Sequence, residues 1–150
     1  MHLRDFFTPD AVGLDLVATT KAEAISACVD LLNVEPRTAA TLFKVLRRRE
    51  KVGSTGFGRG IAIPHCRSLV VARLRLAYGR FPAGIDFDAV DGQPVHHVFL
   101  ITAPPHEVSN QYLPVLGRLA QFAKDPGVSQ QLAALADPAD FLTLLESMRA

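Results

Sequence analysis

Cysteine is scarce in this chain: Cys28 and Cys66 are its only two. Two such thiols give no sign of the disulfide framework that staples small secreted domains. Long apolar runs are missing too. None approaches the roughly 20 residues that a membrane-crossing helix needs, and Met1 to Asp10 carries charge early, unlike a secretory leader. Nor is there an excess of one charge. The formal net charge is +1, which implies no overall pull toward nucleic acid or an anionic membrane. No repeat, low-complexity tract or Gly/Ser linker divides the sequence. These absences leave a cytoplasmic protein with no membrane insertion as the expectation.

What is present suits one compact domain over residues 1–150. Apolar residues make up 49% and charged residues 21%, well away from the composition of disordered chains. A first helix is expected from about Thr20 to Asn33, with Thr20 as cap, Glu23 at the capping-box position, and Ala24, Cys28, Leu31 and Leu32 on one face. A second begins at about Thr38, shows Leu42, Val45 and Leu46 at helical spacing, and closes on Arg47, Arg48 and Arg49, where cations favour the dipole. Gly53 to Gly60 holds four glycines and reads as a loop. Ile61-Ala62-Ile63 reads as a short buried strand stopped by Pro64, and Ala72 to Arg80 and Val95 to Thr102 as two further strands. From Ser109 the 3.6-residue period returns, with Leu113, Leu116, Leu119, Ala120 and Ala123 as its stripe. Helices over about Val128 to Leu135 and Ala139 to Met148 follow. Helices at both ends and strands between them predict an α/β fold, a mixed central sheet flanked by helices on both faces. The strand order stays open.

The segment from Arg49 to His65 concentrates the chemistry. A basic helix end runs into a glycine loop, then a buried strand, then a histidine. Glycines lacking Cβ let backbone N–H groups converge on an anion, and Ser54 and Thr55 add hydroxyl donors. Pro64 fixes the backbone so that His65 emerges at a sheet edge. Its imidazole, with an unperturbed pKa of about 6.5, is a nucleophile at neutral pH. Such a combination suits a phosphoryl acceptor, because phosphoryl transfer is catalysed mainly by positioning and electrostatics.

Other chemistries fit less well. Gly56, Gly58 and Gly60 are spaced GxGxG rather than GxGxxG, and no GK[ST] follows, so no nucleotide motif is present. His65, Cys66, His96, His97 and His106 lack any zinc spacing, and adjacent His96 and His97 point to opposite faces of a strand. Cys66 and His65 are neighbours in sequence, a poor arrangement for a nucleophile and its base. The basic run at Arg47 lacks the interleaved aromatic residues of a nucleic-acid surface.

The stretches Arg49-Glu50-Lys51-Val52-Gly53-Ser54-Thr55-Gly56, Gly60-Ile61-Ala62-Ile63-Pro64-His65 and Ile85-Asp86-Phe87-Asp88-Ala89-Val90-Asp91-Gly92-Gln93-Pro94-Val95 together resemble the enzyme IIA domains of the fructose, mannitol and nitrogen-regulatory phosphotransferase systems. They are most similar to the nitrogen-regulatory branch. The resemblance implies a phosphotransferase, in the sense of a covalent carrier. It would accept a phosphoryl group on His65 from a histidine phosphocarrier protein and pass it to an enzyme IIB cysteine, or use it as a regulatory switch. The alternative it implies is a regulatory module that docks a target protein, with weak or no relay activity. Arg49 matches the family's arginine near the phosphate, and Thr55 lies in the loop bordering the site. No metal and no organic cofactor are implied. Two positions depart from the pattern: Cys66 stands where glycine is frequent, and Tyr112 stands at or next to a common second histidine. Tyr112 or His106 is then the candidate for that supporting role.

Overall fold

The computed structural model describes residues 2–107 and 109–148, so positions 1, 108, 149 and 150 of the expected 1–150 domain lie outside the described residues. The chain opens with two 3-10 turns, Leu3–Phe6 and Pro9–Ala11, and a two-residue strand β1, Val12–Gly13. Helices α1, Lys21–Asp30, and α2, Pro36–Val52, follow. Three short strands come next: β2, Gly56–Gly58, β3, Ile61–Ala62, and β4, His65–Arg67. Two long ones, β5, Arg75–Ile85, and β6, Val95–Ala103, complete the sheet. Helices α3, Tyr112–Lys124, α4, Val128–Ala133, and α5, Pro138–Ser147, close the described chain.

Local sequence explains the helix starts. The Thr20 hydroxyl accepts from the Glu23 N–H at 3.1 Å while the Glu23 carboxylate accepts from the Thr20 N–H at 3.2 Å, so the expected capping box forms. Pro36 occupies the first turn of α2, where its missing N–H costs nothing.

The sheet is mixed, ordered β1-β5-β6-β3-β2, with β4 also paired to β6. β5 and β6 pair antiparallel, whereas β3 and β4 both run parallel to β6 along its other edge. Leu76, Tyr78, Phe99 and Ile101 face one layer, with α3, α4 and α5. Ala77, Val98 and Leu100 face the other, with α1 and α2. Helices thus cover both faces of the sheet, as the pattern predicts. Gly79 makes the α1 side possible: a Cβ there would lie 2.8 Å from both Cys28 Sγ and Leu16 Cδ1.

Two local expectations are corrected and a third is extended. The glycine segment is not all loop, since β2 and β3 form a hairpin turning at Arg59 and Gly60, with φ of 58° and 78°. Two successive positive φ values are what a tight two-residue hairpin demands, and Gly60 meets its share without strain. The strand does end before Pro64, but pairing with β6 resumes beyond it as β4. Ile61 stands opposite His97 and His65 opposite Ile101, so the same register continues past it, with the Pro64 carbonyl accepting from the Ile101 N–H at 3.0 Å. Pro64 faces β6 but has no N–H to give it, and the ladder is broken between β3 and β4. On α3 the buried positions are Tyr112, Val115, Leu119, Phe122 and Ala123, while Leu113 is 65% exposed. Apolar residues occupy two adjacent stripes of that helix, and periodicity does not choose between them.

Arg80 and His97 occupy polar positions within these layers. The Arg80 guanidinium donates to the carbonyls of Leu14, Leu132, Ala133 and Leu135, clamping β5 to the C-terminal end of α4. His97 is buried, with Nδ1 at 2.8 Å from the Tyr78 hydroxyl. Burial first, then His96 and Arg80, pull its pKa down to about 4. The folded protein therefore resists a proton that the unfolded chain takes up near pH 6.5, so this contribution to stability is full above about 6.5 and is lost as pH falls toward about 4. Urea unfolding across that window is expected to show wild-type stability falling more steeply than His97→Gln, by up to about 1.4 kcal/mol per pH unit. Equal slopes would contradict the buried neutral imidazole.

Candidate functional site

Four pieces of chain meet around His65: the end of α2, the β2–β3 hairpin, β4 and the start of α3. They border an open cleft of about 430 Å³ whose lining includes Arg49, Ser54, Phe57, His65, Leu116 and Ala120. The outer stripe of α3 thus supplies one wall.

His65 is half-buried at the start of β4. Its Nδ1 lies 2.7 Å from the Ile63 carbonyl oxygen. A carbonyl only accepts, so Nδ1 carries the ring proton and Nε2 keeps the free lone pair. Side chains alternate along a strand, which sends His65 and Arg67 to one face and Cys66 to the other. Cys66 is accordingly buried in the layer under α1 and α2, where burial pushes its thiol up to about 12. A Cys–His pair is ruled out by this geometry.

On the His65 side, the Tyr112 ring lies 6.4 Å from the imidazole, centroid to centroid. The Arg67 guanidinium sits over the same tyrosine ring at 4.4 Å. Burial, then Cys66, raise the Tyr112 phenol to about 12 against the opposing pull of Arg67 and Arg49, so it remains a hydrogen-bond donor at neutral pH. Glu107 positions this residue: its carboxylate accepts from the N–H groups of Gln111 and Tyr112 at 2.8 and 3.0 Å, capping α3. His106 lies elsewhere, in a separate hollow shared with Asp5 and Arg73.

Arg49 reaches the cleft with one N–H donated to the Gly53 carbonyl at 2.8 Å. Ser54 and Thr55 are in place, and their hydroxyls are engaged within the protein. The Ser54 hydroxyl donates to the Phe87 carbonyl, and the Thr55 hydroxyl donates to Glu50. A hydroxyl has one proton, and both are committed inside the protein. The N–H groups of Thr55, Gly56 and Arg59 are likewise bound to Glu50, Ser54 and Asp91. The glycine segment builds the wall instead: a Cβ on Gly56 would lie 2.7 Å from Ala89 Cα.

Two residues that the sequence reading passed over carry much of this arrangement. Glu50 is buried at the end of α2, where it holds Thr55 and pairs with Lys21 Nζ at 3.1 Å. A carboxylate in the last turn of a helix opposes the dipole, and that was the available signal for a committed partner. Arg67 had a fainter one, a cation two residues beyond the histidine, legible only once β4 is known to be a strand. Among the described residues, no group of three or more His, Cys, Asp or Glu could hold a metal ion.

Comparisons with known proteins agree on one group. The family model described as phosphoenolpyruvate-dependent sugar phosphotransferase system, EIIA 2, matches residues 5–148. A nitrogen regulatory protein of Bradyrhizobium diazoefficiens is 31% identical over 138 residues, covering 91% of this chain and 90% of that protein. The fructose-specific EIIABC component of the Bacillus subtilis system is 32% identical over 136 residues, which cover 88% of this chain and 21% of that protein. The crystal structure of nitrogen regulatory protein IIA-Ntr from Neisseria meningitidis matches with a TM-score of 0.86 at 29% identity, covering 95% of this chain and 98% of that one. The mixed sheet with helices on both faces is the fold they share.

Cys66 tests the geometry without reference to any reaction. A thiol with so small a thiolate fraction is expected to be alkylated by iodoacetamide at pH 8 at least about 100-fold more slowly than a free cysteine. Peptide mapping would read it separately from Cys28, and a rate near that of the free amino acid would place the thiol outside the core.

Proposed function

The chain belongs to the phosphoenolpyruvate-dependent sugar phosphotransferase system EIIA 2 family, and from that premise we propose that it carries a phosphoryl group on Nε2 of His65. The observation that carries the reading is the hydrogen bond from Nδ1 to the Ile63 carbonyl, which leaves Nε2 as the nucleophile beside an open cleft. The donor is the phosphohistidine of a small histidine phosphocarrier protein. The Nε2 lone pair attacks phosphorus, the donor's N–P bond breaks, and its electron pair returns to the donor imidazole. No proton has to move. The His65 ring gains positive character as the new N–P bond forms, and the Ile63 carbonyl stabilises it at the far nitrogen.

Arg49 is proposed to bind a phosphoryl oxygen with N–H groups not given to Gly53. Tyr112 adds one neutral hydrogen bond from its phenol. Ser54 and Thr55 support the site as structural parts of its wall rather than as direct ligands. From His65 the group passes to the cysteine of an enzyme IIB domain or serves as a regulatory switch. Similarity to nitrogen regulatory proteins over nearly the full length of both chains supports the regulatory outlet. A second reading, a module that docks its target with little relay, is favoured by apolar side chains left exposed, Val90 in the cleft wall at 87% and Leu113 on α3 at 65%. We place this work in the cytoplasm; among the described residues no helix is long and apolar enough to cross a membrane.

Incubation with phosphoenolpyruvate, enzyme I and the phosphocarrier, followed by intact-mass measurement, decides between these readings. Wild type should gain one acid-labile phosphoryl group and His65→Ala none. Arg49→Ala should slow single-turnover transfer by about 10- to 100-fold, the loss of one charge-assisted contact. Label persisting in His65→Ala would sink the assignment. Phosphorylated protein that never discharges to an enzyme IIB domain would favour the docking reading.

A further inference from the structure

A phosphoryl group on His65 would bring a charge of about −1.5 to −2 at neutral pH, and Arg49 supplies only one positive partner. Arg67 stands on the same face of β4 as His65, two residues further along. Its guanidinium is exposed and makes neither a hydrogen bond nor an ion pair with any described residue. Arg80 and Arg4, by contrast, are committed, the first to four carbonyls and the second to Glu146. Among the described residues the Arg67 guanidinium rests on the face of Tyr112, 4.4 Å from ring centroid to guanidinium carbon. Stacking on an aromatic ring restrains the long side chain while leaving its N–H fork open, so little further ordering is needed to bind an anion. Tyr112 is itself fixed by Glu107 at the start of α3 and lies beside the imidazole.

We propose that Arg67, held against the ring of Tyr112 on the His65 face of β4, is a second phosphoryl-binding cation of this site. This rests on the reading of His65 as the acceptor. In the transfer, Arg67 contacts phosphoryl oxygens from the strand side while Arg49 contacts them from the end of α2. Two cations on different elements neutralise the dianion from both sides. The proposal also gives Tyr112 a task beyond its hydroxyl, as the platform that keeps the guanidinium turned toward the cleft. Arg67 is not buried and is bonded to no other described side chain except through that ring. Its removal should therefore leave the fold intact.

The test is single-turnover transfer from the phosphocarrier into wild type, Arg67→Gln, Arg67→Lys and His65→Ala, with thermal melts as a control on folding. Arg67→Gln is expected to slow transfer by about 10- to 100-fold while still reaching one phosphoryl group per chain. Arg67→Lys should fall between the two, because a point charge replaces the fork. Low, non-denaturing guanidinium chloride should raise the Arg67→Gln rate and leave wild type unchanged, which a merely structural role would not produce. The proposal is overturned if Arg67→Gln transfers within about 2-fold of wild type, or if it is slow but rescued by neither lysine nor guanidinium. Wild type that takes no phosphoryl group, or label that survives in His65→Ala, removes the acceptor reading and Arg67 with it. Those two arms do not involve Arg67, so the failures are told apart.

Discussion

One edge of β6 is shared by two short strands, β3 and β4, and the rest of the site depends on that shared ladder. Ile63 and Pro64 cross between them without inserting a residue, so His97, Val98 and Ile101 keep a single register with Ile61, Ala62 and His65. At the crossing the Pro64 carbonyl stays in the ladder, while the Ile63 carbonyl meets the His65 ring. The same two residues that interrupt the strand therefore fix the imidazole's tautomer. Alternation along β4 then sorts its three side chains, His65 and Arg67 to one face and Cys66 into the apolar layer. Shifting the register by one residue would bury the histidine and expose the thiol.

Electrostatics of the site are organised around a division of labour among its polar groups. Glu50, Ser54, Thr55 and Asp91 use their hydrogen bonds on the hairpin and the end of α2, and hold the wall rigid. Lys21 compensates the Glu50 carboxylate from α1. That leaves a cleft lined by Arg49 and His65 with no carboxylate among its residues, and Tyr112 stands beside the imidazole. Preorganised positive groups around an uncommitted Nε2 suit a phosphoryl group in flight, because they require no rearrangement when charge arrives.

Much of this was legible in the sequence, and the illegible parts share a physical cause. The α1 cap was read because a capping box is local: Thr20 and Glu23 satisfy each other within one turn. The layered α/β fold followed from the order of helical and strand periods, and the nitrogen-regulatory resemblance from ordered motifs between Arg49 and Val95. Strand β1, at two residues, carries too little pattern to stand out, and it exists because Val12 and Gly13 pair with Tyr78 and Gly79. The burial phase of α3 was misread because it is set by tertiary contacts and by Glu107 capping Gln111 and Tyr112, not by apolar spacing alone. The hydroxyls of Ser54 and Thr55 looked available because their acceptors, Phe87 and Glu50, are visible only in three dimensions. Arg67 was passed over for the same reason, since Pro64 hid the strand that aims it.

Which ring nitrogen carries the phosphoryl group tests the central claim most directly. Protein labelled with 15N in histidine, phosphorylated through the phosphocarrier and examined by 15N and 31P NMR, reports the bonded nitrogen by its coupling to phosphorus. The account predicts a phosphorus coupling to Nε2 of His65, with Nδ1 still protonated and bonded to the Ile63 carbonyl. Coupling to Nδ1 would require that hydrogen bond to break, and would contradict the account.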